Sequence, residues 1–369
     1  MRQPSNKPLS LFIGAGFSLL ELMIAMAIGL LITALLITIY SRTAATSAEF
    51  QRTNSQIENG RFALQLLQQE LMHAGFWGEF VPPATVPTAT VNPCLAWVDW
   101  AAADKTNFFH LPLQGYDNPA TSSALPTGCS TPLPGLVPGS DVLVVRHSET
   151  CLAGVGGCEA VNADKLYLQV SLCANQTPDY EFGRSADGAA FTRQIRTCTD
   201  PAAANPAAAL RAGKRKFISH IYYVRTVTQN GKTIPVLARS EFDNESGVVI
   251  ARTAETLVED IENFQVEYAL DTSGDDGIAD GAYTTCSACT AAQWNQVVAV
   301  RVSVLARSSS TSPGYAAVDT KSYTLGSADP ICSTNGTCTN KVLVAGYKRH
   351  VYSLVVRLVN PATRKPNAP

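Results

Sequence analysis

The feature that most constrains this chain is an apolar run of 24 residues, from Phe17 to Tyr40, that carries a single charged residue, Glu21. A helix needs about 20 apolar residues to cross the hydrocarbon core of a bilayer. The run is longer than the roughly 7 to 15 apolar residues of a removable export signal, although residues 1–16 are basic like the start of one. It therefore predicts a membrane-spanning helix over residues 17–40.

Glu21 is unusual in such a helix. An ionised carboxylate at the centre of a bilayer costs about 3 kcal/mol or more, so a segment that keeps one usually provides a partner for it. Cleavage between Gly16 and Phe17 would create that partner. The new α-amino group would lie four residues before Glu21, on the same helix face.

The stretch GFSLLELMIA closely resembles the type III signal and first helix of type IV pilins and of the pseudopilins of type II secretion. The resemblance implies that residues 1–16 are a prepilin leader, and that a prepilin peptidase cuts after Gly16 and methylates Phe17. It also implies that Glu21 pairs with the N-terminal amine of a neighbouring subunit, so that Phe17 and Glu21 form the charge pair of assembly.

The helical pattern continues in amphipathic form beyond the apolar run. Glycine and proline residues from position 75 onwards then end it. The sequence predicts one helix over residues 17–76, whose second half packs on a globular head. Its apolar stripe recurs every seven residues, at Phe50, Ile57, Leu64 and Leu71.

The rest of the chain predicts a β-rich head. Residues 77–140 are rich in proline and alanine and predict an irregular insertion. Residues 141–360 are predicted to form the β-rich head itself, and residues 361–369 a C-terminal tail. In the segment 263–270, alternation of apolar and polar side chains predicts a strand with Gln265 and Glu267 on a water-exposed face. The predicted strands are 141–146, 165–170, 217–227, 234–241, 263–270, 296–307 and 349–359.

The predicted fold class is therefore α+β: a long N-terminal helix, with a transmembrane half and an amphipathic half, packed on a mainly antiparallel β head. The order of the head segments also resembles one branch of the pilin family, the PilW-type minor pilins. The segments that carry this resemblance are GLVPGSDVLVVR, ISHIYYVR, LVEDIENFQVEYALD, VVAVRVSVLAR and YKRHVYSLVVRLVNP.

That resemblance implies a minor pilin that acts in assembly or priming of a type IV pilus, at or near its tip, with links to twitching motility and cell adhesion. The implied partners are other minor pilins, the major pilin and a tip adhesin. The implied location is the bacterial inner membrane, with a periplasmic head, and later the extracellular pilus. A GspJ-like pseudopilin of a type II secretion system is the alternative.

Cysteine usage indicates an oxidising compartment and up to five disulfides. The closest pairs, Cys151 with Cys158 and Cys332 with Cys338, are the first candidates, followed by Cys173 with Cys198 and Cys94 with Cys129. Cys286 and Cys289 have a spacing that suits a disulfide, a redox dithiol or half of a zinc site, although no second such pair completes a zinc set. The ten cysteines are Cys94, Cys129, Cys151, Cys158, Cys173, Cys198, Cys286, Cys289, Cys332 and Cys338.

An acidic, glycine-rich stretch at residues 271–283 allows two interpretations. Oxygen donors at Asp271, Ser273, Asp275 and Asp280 approach the alternating ligand pattern of a calcium loop. Gly277 lies one place later than the glycine of that pattern, and no glutamate stands at the twelfth position. A solvated hairpin turn therefore explains the same residues. Calcium is the only cofactor that the sequence suggests.

Other function classes find little support. Charged residues make up 16% of the chain and the formal net charge is −2, so we predict no nucleic-acid partner. The five histidines are scattered, and no catalytic motif accompanies them. We therefore predict no enzymatic activity, a helix-dipole role for His73 and structural hydrogen bonds for His147 and His350.

Overall fold

The computed structural model describes residues 18–83 and 85–367. The long helix α1 spans Leu19–His73 and contains the predicted apolar run, with a mean hydropathy of 2.7 over its most apolar 18 residues. By length and composition this part is able to cross a membrane. The chain divides into two compact units, residues 1–52 and residues 53–369. The second contains the end of α1 and the whole β head.

The head confirms the α+β prediction. Every predicted strand lies within an observed one or overlaps it closely. The strands are β1 (Leu113–Tyr116), β2 (Val142–Ser148), β3 (Tyr167–Val170), β4 (Tyr180–Gly183), β5 (Lys214–Gln229), β6 (Lys232–Glu245), β7 (Val248–Ala251), β8 (Glu255–Glu259), β9 (Ile261–Leu270), β10 (Val297–Arg307), β11 (Ser322–Tyr323), β12 (Ile331–Ser333), β13 (Asn340–Leu343) and β14 (Arg349–Arg357). The short helices are α2 (Asp104–Asn107), α3 (Ala291–Trp294) and α4 (Val359–Thr363).

The strands form three sheets. The main sheet runs β1-β2-β5-β3-β4, with β6 also paired to β5 and with β7 and β8 paired to β6. A second sheet has the order β14-β10-β9, and a small third sheet the order β11-β12-β13. All pairs in the first two sheets are antiparallel, while β12 and β13 are parallel. The head is thus mainly antiparallel, as predicted.

The second part of α1 packs on the head through a face made partly of small residues. Gly60 and Ala63 are buried, whereas the predicted stripe residues Ile57 and Leu64 are only half-buried. A Cβ at Gly60 would lie 2.3 Å from the ring of Tyr352. The buried residues of α1 are Gln56, Gly60, Ala63, Leu67 and Leu71, so of the four predicted heptad positions only Leu71 belongs to the buried face.

The segment 77–140 contributes to the core rather than only connecting elements. Trp77 and Phe108 are buried and pack on Phe217 of β5, with ring centroids 6.3 and 5.1 Å from it. The segment also supplies β1, which pairs with β2. Aromatic packing of this kind stabilises a region with little regular structure.

The predicted water-exposed face of 263–270 is wrong. Gln265 and Glu267 are only 5% and 4% exposed. Glu267 accepts a hydrogen bond from the backbone N–H of Ser327 (3.2 Å) and one from Arg301 (3.1 Å), while Gln265 donates to the Gly139 carbonyl (2.9 Å). Long connections cover this face of β9, which alternation within one strand does not reveal.

All ten cysteines are paired. The five disulfides join Cys94 to Cys129, Cys151 to Cys158, Cys173 to Cys198, Cys286 to Cys289, and Cys332 to Cys338. Cys286 and Cys289 thus form a disulfide with each other. These are the pairs that sequence proximity suggested, and they suit an extracytoplasmic protein.

Candidate functional site

The helix start places Glu21 in a capping arrangement. Ser18 precedes the first helical residue, and its hydroxyl accepts a hydrogen bond from the backbone N–H of Leu20 (3.3 Å). Glu21, three residues after Ser18, accepts one in return from the Ser18 N–H (2.9 Å). This reciprocal pair is a variant of the capping box in which the Ser18 hydroxyl accepts from the second rather than the third helical N–H; it satisfies backbone donors that the helix itself leaves open. The carboxylate therefore has a local partner in the chain as it stands.

The other two residues of the predicted assembly site, Gly16 and Phe17, lie outside the described residues. Cleavage, methylation and the pairing of Glu21 with an N-terminal amine stay predictions. The capping box does not compete with them in principle, because a carboxylate has two oxygens and accepts several hydrogen bonds.

The acidic stretch folds as a turn held by its own carboxylates. Asp280 accepts hydrogen bonds from the backbone N–H groups of Thr272 (2.8 Å) and Ser273 (2.7 Å). These hydrogen bonds lower the pKa of Asp280 from its ordinary value. Asp271 accepts from the N–H of Gly277 (2.8 Å). The turn is therefore ordered by contacts within the chain.

Among the proposed calcium ligands, Asp275 forms an ion pair with Lys365 (3.2 Å), and one oxygen of the buried Asp271 has no hydrogen-bond partner in the described part of the chain. Gly277 adopts a left-handed conformation (φ +72°) at the position one place late for a calcium loop. Calcium binding at Asp271, Ser273, Asp275 and Asp280 stays a prediction.

The fold also gathers side chains that are far apart in the sequence. Strands β2 and β5 pair antiparallel, with Val145 opposite His220 and His147 opposite Ile218. Since side chains alternate between the faces of a sheet, His147 and His220 share one face as diagonal neighbours. Glu70, on α1, lies at this same point, so a helix and two strands contribute one side chain each.

Glu70 contacts both imidazoles through one oxygen. Its Oε1 lies 2.6 Å from Nδ1 of His220 and 3.3 Å from Nε2 of His147. Burial raises the pKa of Glu70, but the hydrogen bonds and charges of the two histidines outweigh burial and hold that pKa well below its usual range. The exposed His73, one helical turn after Glu70, places its ring centroid 5.7 Å from that of His147.

This cluster of Glu70, His147 and His220, which we call the histidine cluster, is missing from the sequence-based prediction. The five histidines look scattered, and the register of β2 and β5 is what joins two of them, His147 and His220, which are 73 residues apart. The one local signal is the pair Glu70 and His73 at helical spacing, which places a carboxylate and an imidazole on one face.

Comparison with known proteins finds a family match within the head. Residues 221–360 match the family model PilW, described as Type IV Pilus-assembly protein W. This match begins within β5, ends in α4 and covers less than half of the chain. No curated protein sequence matches the chain at a significant level.

One solved structure with similarity to the chain is a type IV-like pilin from Thermus thermophilus. It is 12% identical, with 82% of this chain and 97% of that chain covered, at a TM-score of 0.30. Similarity this low carries no argument by itself. The family match over residues 221–360, in a head that follows a long apolar helix, supports a PilW-type pilin.

Proposed function

We propose that this protein is a minor pilin that takes part in assembly or priming of a type IV pilus, after cleavage at Gly16 and methylation of Phe17. The observation that carries the proposal is the match of residues 221–360 to a pilus-assembly family. That match favours the pilus over the alternative, a GspJ-like pseudopilin of a secretion system. The role is structural, as is usual for pilins, and not enzymatic.

The size of the head supports a place at or near the tip. A compact domain of about 290 residues, the length from the end of α1 onwards, has a radius of gyration of roughly 19 Å. Packed helices lie about 8–10 Å apart. A head this large has more room at the end of a filament of packed helices than along its length.

The apolar part of α1 supports membrane anchoring before assembly. In the proposed sequence of events the protein resides in the inner membrane with its head in the periplasm, and then joins other minor pilins and the major pilin, with a tip adhesin as a further partner. The apolar helix supplies buried area, and Glu21 with the amine of Phe17 supplies the charge pair.

The test is complementation of a deletion strain in the native host. Wild-type protein should restore surface pili and appear in sheared filaments as a chain that starts at methylated Phe17, as read by intact-mass analysis. Gly16→Ala should accumulate uncleaved and restore no pili. Gly14→Ala, a matched change two residues earlier, should be processed normally.

Two measurements separate the proposal from its alternative. Type II secretion of marker enzymes should be unchanged in the deletion strain, and pilus number should fall. Loss of secretion with normal piliation would overturn the pilus assignment. Gold labelling of the head along the whole filament, rather than at its ends, would refute the tip position alone.

A further inference from the structure

We propose that the histidine cluster of Glu70, His147 and His220 binds one divalent transition-metal ion, such as zinc, and that this ion fastens the end of α1 to the main sheet. The proposal concerns a site in the head and does not depend on the proposed position of the protein in the pilus.

The arrangement of donor atoms suits such an ion. One ligand atom from each of Glu70, His147 and His220 lies within 4.8 Å of the other two. Both histidines are buried, at 8% and 7% exposure, and the Glu70 side chain is nearly so. Three donors from separate elements, converging in a dry location, are the arrangement of a metal site rather than of a solvated surface cluster.

The hydrogen bonding of His147 presents its metal-binding nitrogen to Glu70. Its Nδ1 lies 2.9 Å from the backbone carbonyl oxygen of Ser148, and a carbonyl oxygen only accepts, so Nδ1 carries the proton. In the neutral ring Nε2 is then an unprotonated acceptor. This is the tautomer that metal-bound histidines adopt, with the second nitrogen donating to a backbone carbonyl.

The Nε2 of His147 faces the Glu70 carboxylate across 3.3 Å. A metal ion can take the place of a proton between these two atoms. An ion at about 2.05 Å from both atoms would subtend an angle of about 107°, which is close to tetrahedral. The Nδ1 of His220, at 2.6 Å from the same oxygen, has to withdraw by about 0.7 Å to reach an equivalent position.

The surroundings offer further donors. Tyr222, two residues after His220 on the same face of β5, is fully buried, and its ring centroid lies 6.1 Å from that of His220. On the solvent side His73 lies beside His147. A fourth coordination position can be filled by water, by Tyr222 or by rotation of His73.

The donor set selects the kind of metal. Imidazole nitrogens with a single carboxylate suit zinc, copper, nickel and iron, whereas calcium and magnesium prefer sites made wholly of oxygen. A site that joins a helix to two strands contributes its binding free energy to the folded state. We therefore expect the ion to stabilise the head.

The experiment uses the full-length chain in detergent, purified without a histidine tag and stripped with a chelator. Calorimetric titration with zinc should saturate at one ion per chain, and cobalt should give the visible absorption of a tetrahedral nitrogen and oxygen site. At free zinc about 100-fold above Kd, the Tm should rise by about 4 °C. Calcium should not compete with zinc or cobalt for this site.

Matched variants locate the ion. Glu70→Gln and His147→Gln should each weaken zinc binding by more than about 10-fold, the lower end of the loss seen even for outer-shell partners. His350→Gln, an exposed histidine outside the cluster, should bind like wild type. Melting of each variant in chelator shows whether it is folded.

The proposal is overturned if the wild-type chain takes up no stoichiometric zinc, if cobalt gives only the weak spectrum of an octahedral aqua ion, or if the Glu70→Gln, His147→Gln double variant still binds with wild-type affinity. The first two results would show that the cluster is a hydrogen-bonded trio without metal. They use wild-type protein and so do not depend on the folding of any variant.

Discussion

Replacement of Gly277 by alanine should be one of the most damaging small changes in the head. Gly277 closes the acidic turn in a left-handed conformation, and its N–H donates to Asp271. An added Cβ would lie 2.3 Å from the carbonyl oxygen of Ala362 and 2.9 Å from its carbonyl carbon. Both atoms belong to the backbone of α4, so no side-chain rotation relieves the clash.

The magnitude follows from two separable costs. A left-handed conformation costs an alanine about 1–2 kcal/mol. The clash forces the turn and α4 apart by about 1 Å, and overpacking of this kind in a well-packed region costs about 1–3 kcal/mol more. Ala362 is fully buried, so α4 cannot move towards solvent without opening the core. We expect Gly277→Ala to lose roughly 3–4 kcal/mol of unfolding free energy.

Gly281 provides the matched control. It lies in the same turn with φ +87°, and a Cβ there would meet nothing within 4 Å. Gly281→Ala should therefore lose only the conformational cost of about 1–2 kcal/mol. Urea unfolding of both full-length variants in detergent, followed by tryptophan fluorescence, measures the difference. If Gly277→Ala loses no more free energy than Gly281→Ala, the packing of α4 on the turn is not as described.

Three further predictions concern charge. Glu21→Gln keeps an acceptor for the Ser18 N–H but loses the charge, whereas Glu21→Ala loses both. We expect both variants to insert into the membrane normally and to be poorly recovered in sheared filaments. Normal recovery of the glutamine variant would assign the role of Glu21 to the hydrogen bond alone. If the acidic turn binds calcium, Tm should rise by about 4 °C at 100-fold excess over Kd in wild type but not in Asp275→Asn, and an unchanged wild-type Tm removes the hypothesis. Burial, with smaller contributions from nearby acids, raises the pKa of Asp141 to about 7 despite hydrogen bonds from two backbone N–H groups. Since the folded pKa exceeds the unfolded one, the contribution of Asp141 to the unfolding free energy is fully present below about pH 4, and about 4 kcal/mol of it is lost as the pH rises to 7. Asp141→Asn should flatten this pH dependence in urea unfolding at pH 4.5 and 7.5.

The fold was largely predictable because its main signals are local. The apolar run of α1 is read from composition over 24 residues, and the seven predicted strands from periodicity over 6 to 12 residues. The short strands β7 and β8 were not predicted. They are only 4 and 5 residues long, and both form by pairing with β6, so their own sequences carry little signal.

Burial was predicted less well, since it depends on what covers a surface. Gln265 and Glu267 alternate with apolar residues as in a half-exposed strand, and yet both are buried beneath connections distant in sequence. Likewise Ile57 and Leu64 of the predicted heptad stripe are only half-buried, whereas Gly60 is buried against the ring of Tyr352. Alternation reports which face a residue is on, and it does not report what lies opposite.

The histidine cluster shows a related limit, since spacing along the sequence does not show which side chains meet. Its three members are 77 and 73 residues apart along the chain, and no spacing between them has a meaning until β2 and β5 are in register. A slip of one residue between those strands would turn His147 and His220 to opposite faces. It would also leave Glu70 buried beside one imidazole rather than two. The pairing of Val145 with His220 is therefore a structural fact on which the site depends. Directly opposite residues of an antiparallel pair lie within disulfide distance, so a disulfide between Val145→Cys and His220→Cys in the metal-free chain would measure that register independently of any metal.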